Sequence, residues 1–252
     1  MINAFENAVP MPQRQGKMNL DNLRRLRDVV DPLELSVPEL EIIARYEKLY
    51  TGCVNDVMRE LCLTNQALPS SIMPLRDEMI LAGFAFTIRS SADPTTTGEL
   101  ETRVKMLAEL KPNTVCVWNA NGDDHASHWG GVMTKMSKKQ GVRGAVIDGG
   151  IRDTKDILEQ TFPIWSRYRT SNGSLSRAKI TGYQVPIIIG GVLIKPNDLI
   201  FADIDGAVVV PRHFVLQVLE RAETIESNEL EFKEWIEIGL SPEQVHDRGG
   251  YF

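Results

Sequence analysis

The chain has 252 residues, of which 42% are hydrophobic and 25% charged. That balance belongs to a globular protein of one large domain, or of one domain with appendages. A formal net charge of −6 speaks against general nucleic-acid binding, while leaving room for a local basic pocket.

Residues 1–36 read as an N-terminal extension. A loose arm over 1–18 precedes a short basic helix from Asn19 to Val30, whose arginines form a solvated face. The main domain is expected over residues 37–238 and a tail over 239–252. Ser36-Val37-Pro38-Glu39 has the form of a capping box, so a helix is expected to begin there. It runs through Leu40, Ile42, Ile43 and Tyr46 and stops near Gly52, followed by a second helix, VNDVMREL (54–61). MILAGFAFTIRS (79–90) is a strand in which Gly83 marks a bulge or a close backbone approach. Gly98 to Leu110 is helical, with Leu100, Val104, Leu107 and Leu110 on one face. TVCVWNA (114–120) is a buried strand, Trp129 to Gln140 a helix, and GAVIDGG (144–150) another strand ending in a glycine turn. A helix from Thr154 to Gln160 and a short strand from Pro163 to Arg167 follow. Several short strands crowd residues 184–210, and Pro211 opens a long helix to about Ile238. The pattern predicts an α/β fold with mixed strand directions. There is no G-x-G-x-x-G after a strand and no G-x-x-x-x-G-K-[ST], which argues against a dinucleotide or P-loop site.

Cys53, Cys62 and Cys116 form no C-x-x-C pair, so neither zinc nor a disulfide framework is suggested, and a cytoplasmic setting is the simplest reading. No signal peptide is visible, and the longest apolar run, VPIIIGGVLI, is too short to span a bilayer.

The segment from Trp129 to Asp156 carries the chemistry. Gly130-Gly131 leads into a helix, and the backbone N–H groups of Val132 and Met133 are candidates to bind an anion. Arg152 offers a planar fork that matches a carboxylate, and Asp153 a hard oxygen suited to Mg²⁺ or Mn²⁺. Asp148 reads as structural, holding its turn. Asp123, Asp124, His125 and His128 lack a standard metal-ligand spacing and read as a polar loop, with His128 nearest the glycine turn. Asp203 and Asp205 read as a turn. Glu226 and Glu229 share a helix face that is solvated by default, with a contribution to a neighbouring subunit's site as the lesser alternative. No G-x-S-x-G occurs, and no Ser-His-Asp arrangement can be argued.

With these segments in hand, the chain resembles the RraA-like family, which includes the class II pyruvate aldolases acting on 4-hydroxy-4-methyl-2-oxoglutarate and 4-carboxy-4-hydroxy-2-oxoadipate. The resemblance lies in VNDVM (54–58), LAGFAFTIR (81–89), WGGVMT (129–134), GVRGAVIDGGIRD (141–153), FPIW (162–165) and DLIFADIDGAVVVP (198–211). It implies an αββα sandwich of the swivelling-domain type, assembled as homotrimers or homohexamers with active sites between subunits. It further implies that Arg152 and the Val132 and Met133 amides hold the carboxylate of a small 2-oxo acid. Asp153 would carry Mg²⁺ or Mn²⁺, which stabilises an enolate as a C–C bond breaks. One departure stands out: the aldolases have an acidic residue where this chain has Gly131. His128, or Glu226 or Glu229 from a neighbour, is a candidate substitute. Two functions follow from the resemblance: a metal-dependent aldolase or oxaloacetate-type decarboxylase, or a non-catalytic regulator of an RNA-degrading enzyme. The regulator branch also lacks the acid but does not keep a complete Arg-Asp pair.

Overall fold

A computed structural model describes residues 20–27 and 34–250. The arm expected over 1–18 lies outside the described residues. The basic helix is seen as α1 (Asp21–Arg27). Then follow α2 (Glu39–Tyr46), α3 (Thr51–Glu60), β1 (Met73–Pro74), β2 (Leu81–Ala92), α4 (Glu99–Ala108), β3 (Thr114–Asn119), β4 (Ser127–Trp129), α5 (Gly131–Lys139), β5 (Gly144–Ile151) and α6 (Thr154–Glu159). The chain continues through β6 (Ile164–Arg169), β7 (Ala178–Tyr183), β8 (Ile187–Ile189), β9 (Val192–Ile194), β10 (Leu199–Asp203), β11 (Gly206–Val210), α7 (Val215–Glu237) and α8 (Pro242–Asp247).

The fold is mixed α/β with a long C-terminal helix, as the resemblance implies. One nine-stranded sheet runs in the order β1-β6-β5-β3-β2-β10-β11, with β4 added on β5 and β7 on β2. Strands β6, β5, β3 and β2 are mutually parallel, whereas β10, β11, β7 and β1 pair antiparallel. The period-2 alternation of strand side chains explains how both faces are buried. Val115 and Val117 of β3, with Ile200 and Ala202 of β10, turn to one face, which the β8–β9 hairpin covers through Ile187, Ile189, Val192 and Ile194. The alternate residues meet helices in two groups. Phe84, Leu199 and Phe201 pack under α2, α3 and α7. Phe86, Ile88, Cys116, Trp118 and Ile147 pack under α4, α5 and α6. The long strand β2 serves both groups, with a bulge between Arg89 and Ser90 where it passes to β7. Gly83 is a close approach, since a Cβ there would lie 2.8 Å from the Asn113 carbonyl oxygen.

Four local expectations change in the structure. The capping box at Ser36 does not form: Pro38 is the N-cap of α2 and no side chain caps it. Glu39 instead lies near Arg212, at 4.0 Å, and accepts from Asn113. On α4 the apolar face is partly outward, with Leu100 and Val104 58% and 65% exposed. The helix is rotated because Glu99 is buried and must meet its partners, Arg103 and the Ile180 N–H. The residues 144–150 strand continues to Ile151, so Gly149 and Gly150 lie inside β5 and not in a turn. A Cβ on Gly150 would come within 2.3 Å of the Tyr168 ring, so packing explains that glycine. The tail also folds: α8 carries a complete capping box between Ser241 and Gln244, buries Val245, and sets Arg248 over the Trp235 ring at 5.5 Å. No helix among the described residues is long and apolar enough to cross a membrane.

Asp203, read from sequence as a turn residue, joins the sheet to the helices. Its carboxylate accepts from the Thr51 N–H and hydroxyl, both at 2.7 Å, and from the Asp205 N–H at 2.9 Å. It thus caps α3 from a distant strand end, in a buried setting. Truncation leaves buried donors without an acceptor. We therefore expect Asp203→Ala to lower stability by about 3 kcal/mol in urea unfolding, and an unchanged midpoint would contradict this role.

Candidate anion and metal site at two paired helix starts

The site forms where α5 and α6 begin, beyond the carboxyl end of β5, the place where open parallel sheets bind ligands. Trp129, at the end of β4, accepts the Arg152 N–H on its carbonyl at 3.0 Å, so the two segments run side by side. The helix expected from Trp129 begins at Gly131, because Ser127 to Trp129 pair with β5 as a strand. Gly130 is the N-cap of α5, and its carbonyl accepts the Thr134 N–H at 3.0 Å. Among the described residues, no acceptor outside the helix meets the Val132 and Met133 N–H groups, which leaves the first turn open to an anion. Val132 is 82% exposed and Met133 buried, so the turn is anchored on one side and open on the other.

Arg152 and Asp153 are each about half exposed, with Arg152 Nε 3.7 Å from Asp153 Oδ2. Asp153 is the N-cap of α6 and has a left-handed backbone, φ 56° and ψ 33°. Aspartate tolerates that conformation better than most residues, and such strain clusters at functional sites. The bend turns the carboxylate back to α5, where Oδ2 accepts the Gly131 N–H at 3.1 Å. Gly173 lies beside the guanidinium: a Cβ there would sit 2.8 Å from Arg152 Nη1. Gly130, Gly131, Val132, Met133, Arg152 and Asp153 therefore share one open notch. A separate cleft of about 350 Å³, lined by Arg89, Asn119 and Ile188 among others, includes neither Arg152 nor Asp153.

Beneath the notch, the structure places His128 differently from an exposed base. Its ring is 1% exposed, and both nitrogens are engaged. Nε2 faces Asp123 Oδ2 at 3.0 Å, and Nδ1 faces Ser90 Oγ at 3.2 Å. The Trp118 indole N–H donates to Ser90 Oγ at 2.9 Å. The donor order follows from the chemistry: indole can only donate and an ionised carboxylate only accept, so a neutral imidazole donates from Nε2 and accepts Ser90's hydroxyl proton at Nδ1. A Ser-His-Asp chain that no sequence motif announces is thus present, buried and assembled from β2, β4 and the preceding loop. Asp124 and His125 remain on the surface, paired with each other at 3.0 Å.

Glu99 and Arg103 had no sequence signal beyond an i,i+4 spacing. Arg103 donates to the buried Glu99, to the His128 carbonyl at 3.3 Å and to Ser174 Oγ at 3.0 Å, and meets the Met133 sulfur at 3.0 Å. It ties α4 to both ends of the β4–α5 turn. Glu226 and Glu229 stand elsewhere in the protomer. Tyr50 donates its hydroxyl to Glu229, and Lys233 lies 3.7 Å from the same carboxylate. Their helix, α7, belongs to the layer of α2 and α3, while Met133 and Ile157 of the notch helices belong to the other. One chain does not bring these glutamates to Arg152.

The sequence profile of the RraA-like family, described as aldolase/RraA, matches residues 51–209. The chain belongs to the RraA-like family. It is 34% identical over 188 residues to a protein of Halalkalibacterium halodurans provisionally named 4-hydroxy-4-methyl-2-oxoglutarate aldolase, covering 75% of this chain and 85% of that one. Among solved structures, one described as a novel cellulase from gut-associated microbes superposes with a TM-score of 0.83 at 49% identity, covering 85% of this chain and 96% of the other. Streptomyces coelicolor RraAS2, described as an unusual member of the RNase ES inhibitor RraA family, superposes with a TM-score of 0.71 at 29% identity, covering 79% and 98%. The family thus holds proteins named as aldolases and proteins named as inhibitors.

Burial pushes the His128 imidazole below its ordinary value of 6.5, against the opposing pull of Asp123. The folded protein therefore keeps His128 neutral where the unfolded chain takes up a proton. Above the unfolded value both states are neutral; below about 6.5 proton uptake favours the unfolded chain, so stability falls as the pH drops through this range. Melting temperatures from pH 7.5 to 5 are expected to fall less steeply in His128→Gln than in wild type. Equal slopes would show that His128 is not the group responsible.

Proposed function

We propose that the protein is a metal-dependent carbon–carbon lyase acting on a small 2-oxo acid, as an aldolase or an oxaloacetate-type decarboxylase. The observation that carries this reading is the meeting of Arg152, Asp153 and the open first turn of α5 around one notch. A guanidinium and unpaired backbone N–H groups suit a carboxylate substrate. They are less suited to a neutral sugar chain, the substrate class that the cellulase description of the 49% identical structure suggests.

The residues fit a hard divalent cation. Asp153 offers carboxylate oxygen, and the site keeps space beside it by having no Cβ at Gly130, where one would lie 2.7 Å from Asp153 Oδ2. No group of three or more His, Cys, Asp or Glu residues that could hold a metal occurs among the described residues. A cation at Asp153 would therefore take most of its ligands from water, as Mg²⁺ commonly does with only one or two protein carboxylates. When bound, such an ion supplies Lewis-acid polarisation of the 2-oxo group. Arg152 holds the substrate carboxylate by its planar fork, and the Val132 and Met133 N–H groups fix its second side. Asp153 would hold the cation. Arg103 and the buried His128 chain keep the β4–α5 turn in place, so the donors are set before substrate arrives. A homotrimer or homohexamer would close the open side of the notch, with Glu226 or Glu229 of a neighbour at its rim.

The test is pyruvate release from oxaloacetate and from 4-hydroxy-4-methyl-2-oxoglutarate, with Mg²⁺ and with chelator. Release is expected to need the metal and to fall about a hundredfold or more in Asp153→Asn, a change that tolerates the left-handed backbone. Arg152→Lys is expected chiefly to raise KM, because a point charge replaces a bidentate fork. Metal-independent release, or none from any small 2-oxo acid, would defeat the proposal. Capture of an RNA-degrading enzyme by the inactive protein would favour the regulatory alternative.

A further inference from the structure

Gly131 leaves a space in the first turn of α5, and a carboxylate from α6 occupies it. A Cβ built on Gly131 would lie 1.9 Å from Asp156 Oδ2 and 2.9 Å from its Cγ. Gly131 is not among the residues with positive φ, so crowding and not backbone conformation excludes a side chain there. Asp156 follows Asp153 by three residues, which places both at the start of α6 on neighbouring positions of one face.

The position of Asp156 is held. Gln160 Nε2 donates to Asp156 Oδ1 at 3.1 Å and to the Gly131 carbonyl at 3.2 Å. The amide orientation is determined, because a flipped amide would set its oxygen against two acceptors. In that orientation Gln160 Oε1 is buried with no partner, an orphaned acceptor that calls for a donor such as an ordered water. Asp156 Oδ2 accepts no hydrogen bond among the described residues, whereas Asp153 Oδ2 accepts the Gly131 N–H. Two carboxylates thus approach one glycine, one at its N–H and one at its vacant Cβ position. A plain helix-start charge would gain from the dipole alone, and would need neither the excluded side chain nor the amide clamp.

We infer that Asp156, clamped by Gln160 in the space that Gly131 leaves, is the second carboxylate of the cation site. Its role is positioning: it raises cation affinity. The inference rests on the metal-dependent reading above.

Its test is Mn²⁺ binding, followed by electron paramagnetic resonance and calorimetry, in the full-length wild type, Asp153→Asn, Asp156→Asn, Gly131→Ala and Glu159→Gln. Asp156→Asn is expected to weaken Mn²⁺ about tenfold or more, with circular dichroism and melting temperature retained. Gly131→Ala should do the same by displacing the carboxylate, although alanine favours the helix. Glu159→Gln, on the exposed side of α6 beside Lys155 at 3.8 Å, should bind as wild type does. Wild-type affinity in Asp156→Asn, with binding lost in Asp153→Asn, would overturn this inference alone. An equal loss in Glu159→Gln would overturn it too, since general charge would then suffice. No Mn²⁺ binding by wild type would overturn both this inference and the metal-dependent reading.

Discussion

The hydrogen bond from the Gly131 N–H to Asp153 Oδ2, at 3.1 Å, joins the start of α5 to the start of α6, and the geometry of the notch depends on it. A carboxylate at the end of a helix macrodipole is stabilised there, and a residue in the left-handed region is strained there. The bond links these two effects: the strain at Asp153 aims its oxygen at the helix, and the helix holds that oxygen in place. The same constraint leaves the Arg152 fork beside the unpaired N–H groups of Val132 and Met133. An anion entering the notch meets charge and donors arranged in advance, which is the condition for electrostatic preorganisation.

That arrangement is braced from below by buried polar groups. Glu99 is 1% exposed and lies in the apolar layer under α4, where an unpaired carboxylate would be costly. Arg103 compensates it and extends its remaining donors to the His128 carbonyl and Ser174. The chain from Trp118 through Ser90 and His128 to Asp123 is likewise satisfied at each step. A fully satisfied network of this kind favours one arrangement over near alternatives, because any slip leaves a buried donor or acceptor without a partner. Rotation of α4, and with it the outward turn of Leu100 and Val104, is the price of pairing Glu99.

The strands and helices were largely legible because their periodicities are strong. The continuous apolar runs of Thr114–Asn119 and Leu199–Asp203 and the helical spacing after Pro211 are local properties of the chain. Elements that are short or uneven were not legible. Strands β4 and β7 have three and six residues and no clean alternation, and they exist because β5 and β2 offer open edges. Ser36 and Glu39 had capping-box spacing, yet Pro38 took the cap and Glu39 turned to residues that lie far off in sequence. The tail carried its own capping box at Ser241, a local signal that was present and passed over.

What the amino-acid sequence determined by itself was the α/β class, the glycine pair before a helix, and the Arg152-Asp153 pair after a strand, since each depends on neighbours in the chain. Tertiary structure alone decided which of these groups meet. Pairing of β4 with β5 carries Gly131 to Asp153, 22 residues away in sequence, and the packing of β4 against β2 sets Ser90 against His128, 38 residues away. It also set apart residues that the sequence had offered together, leaving Glu226 and Glu229 on the other helical layer and turning His128 inward. The reason is physical: periodicity records which face of an element is apolar, whereas the partners of a charged group depend on where its neighbours from distant segments come to rest once that apolar surface is buried.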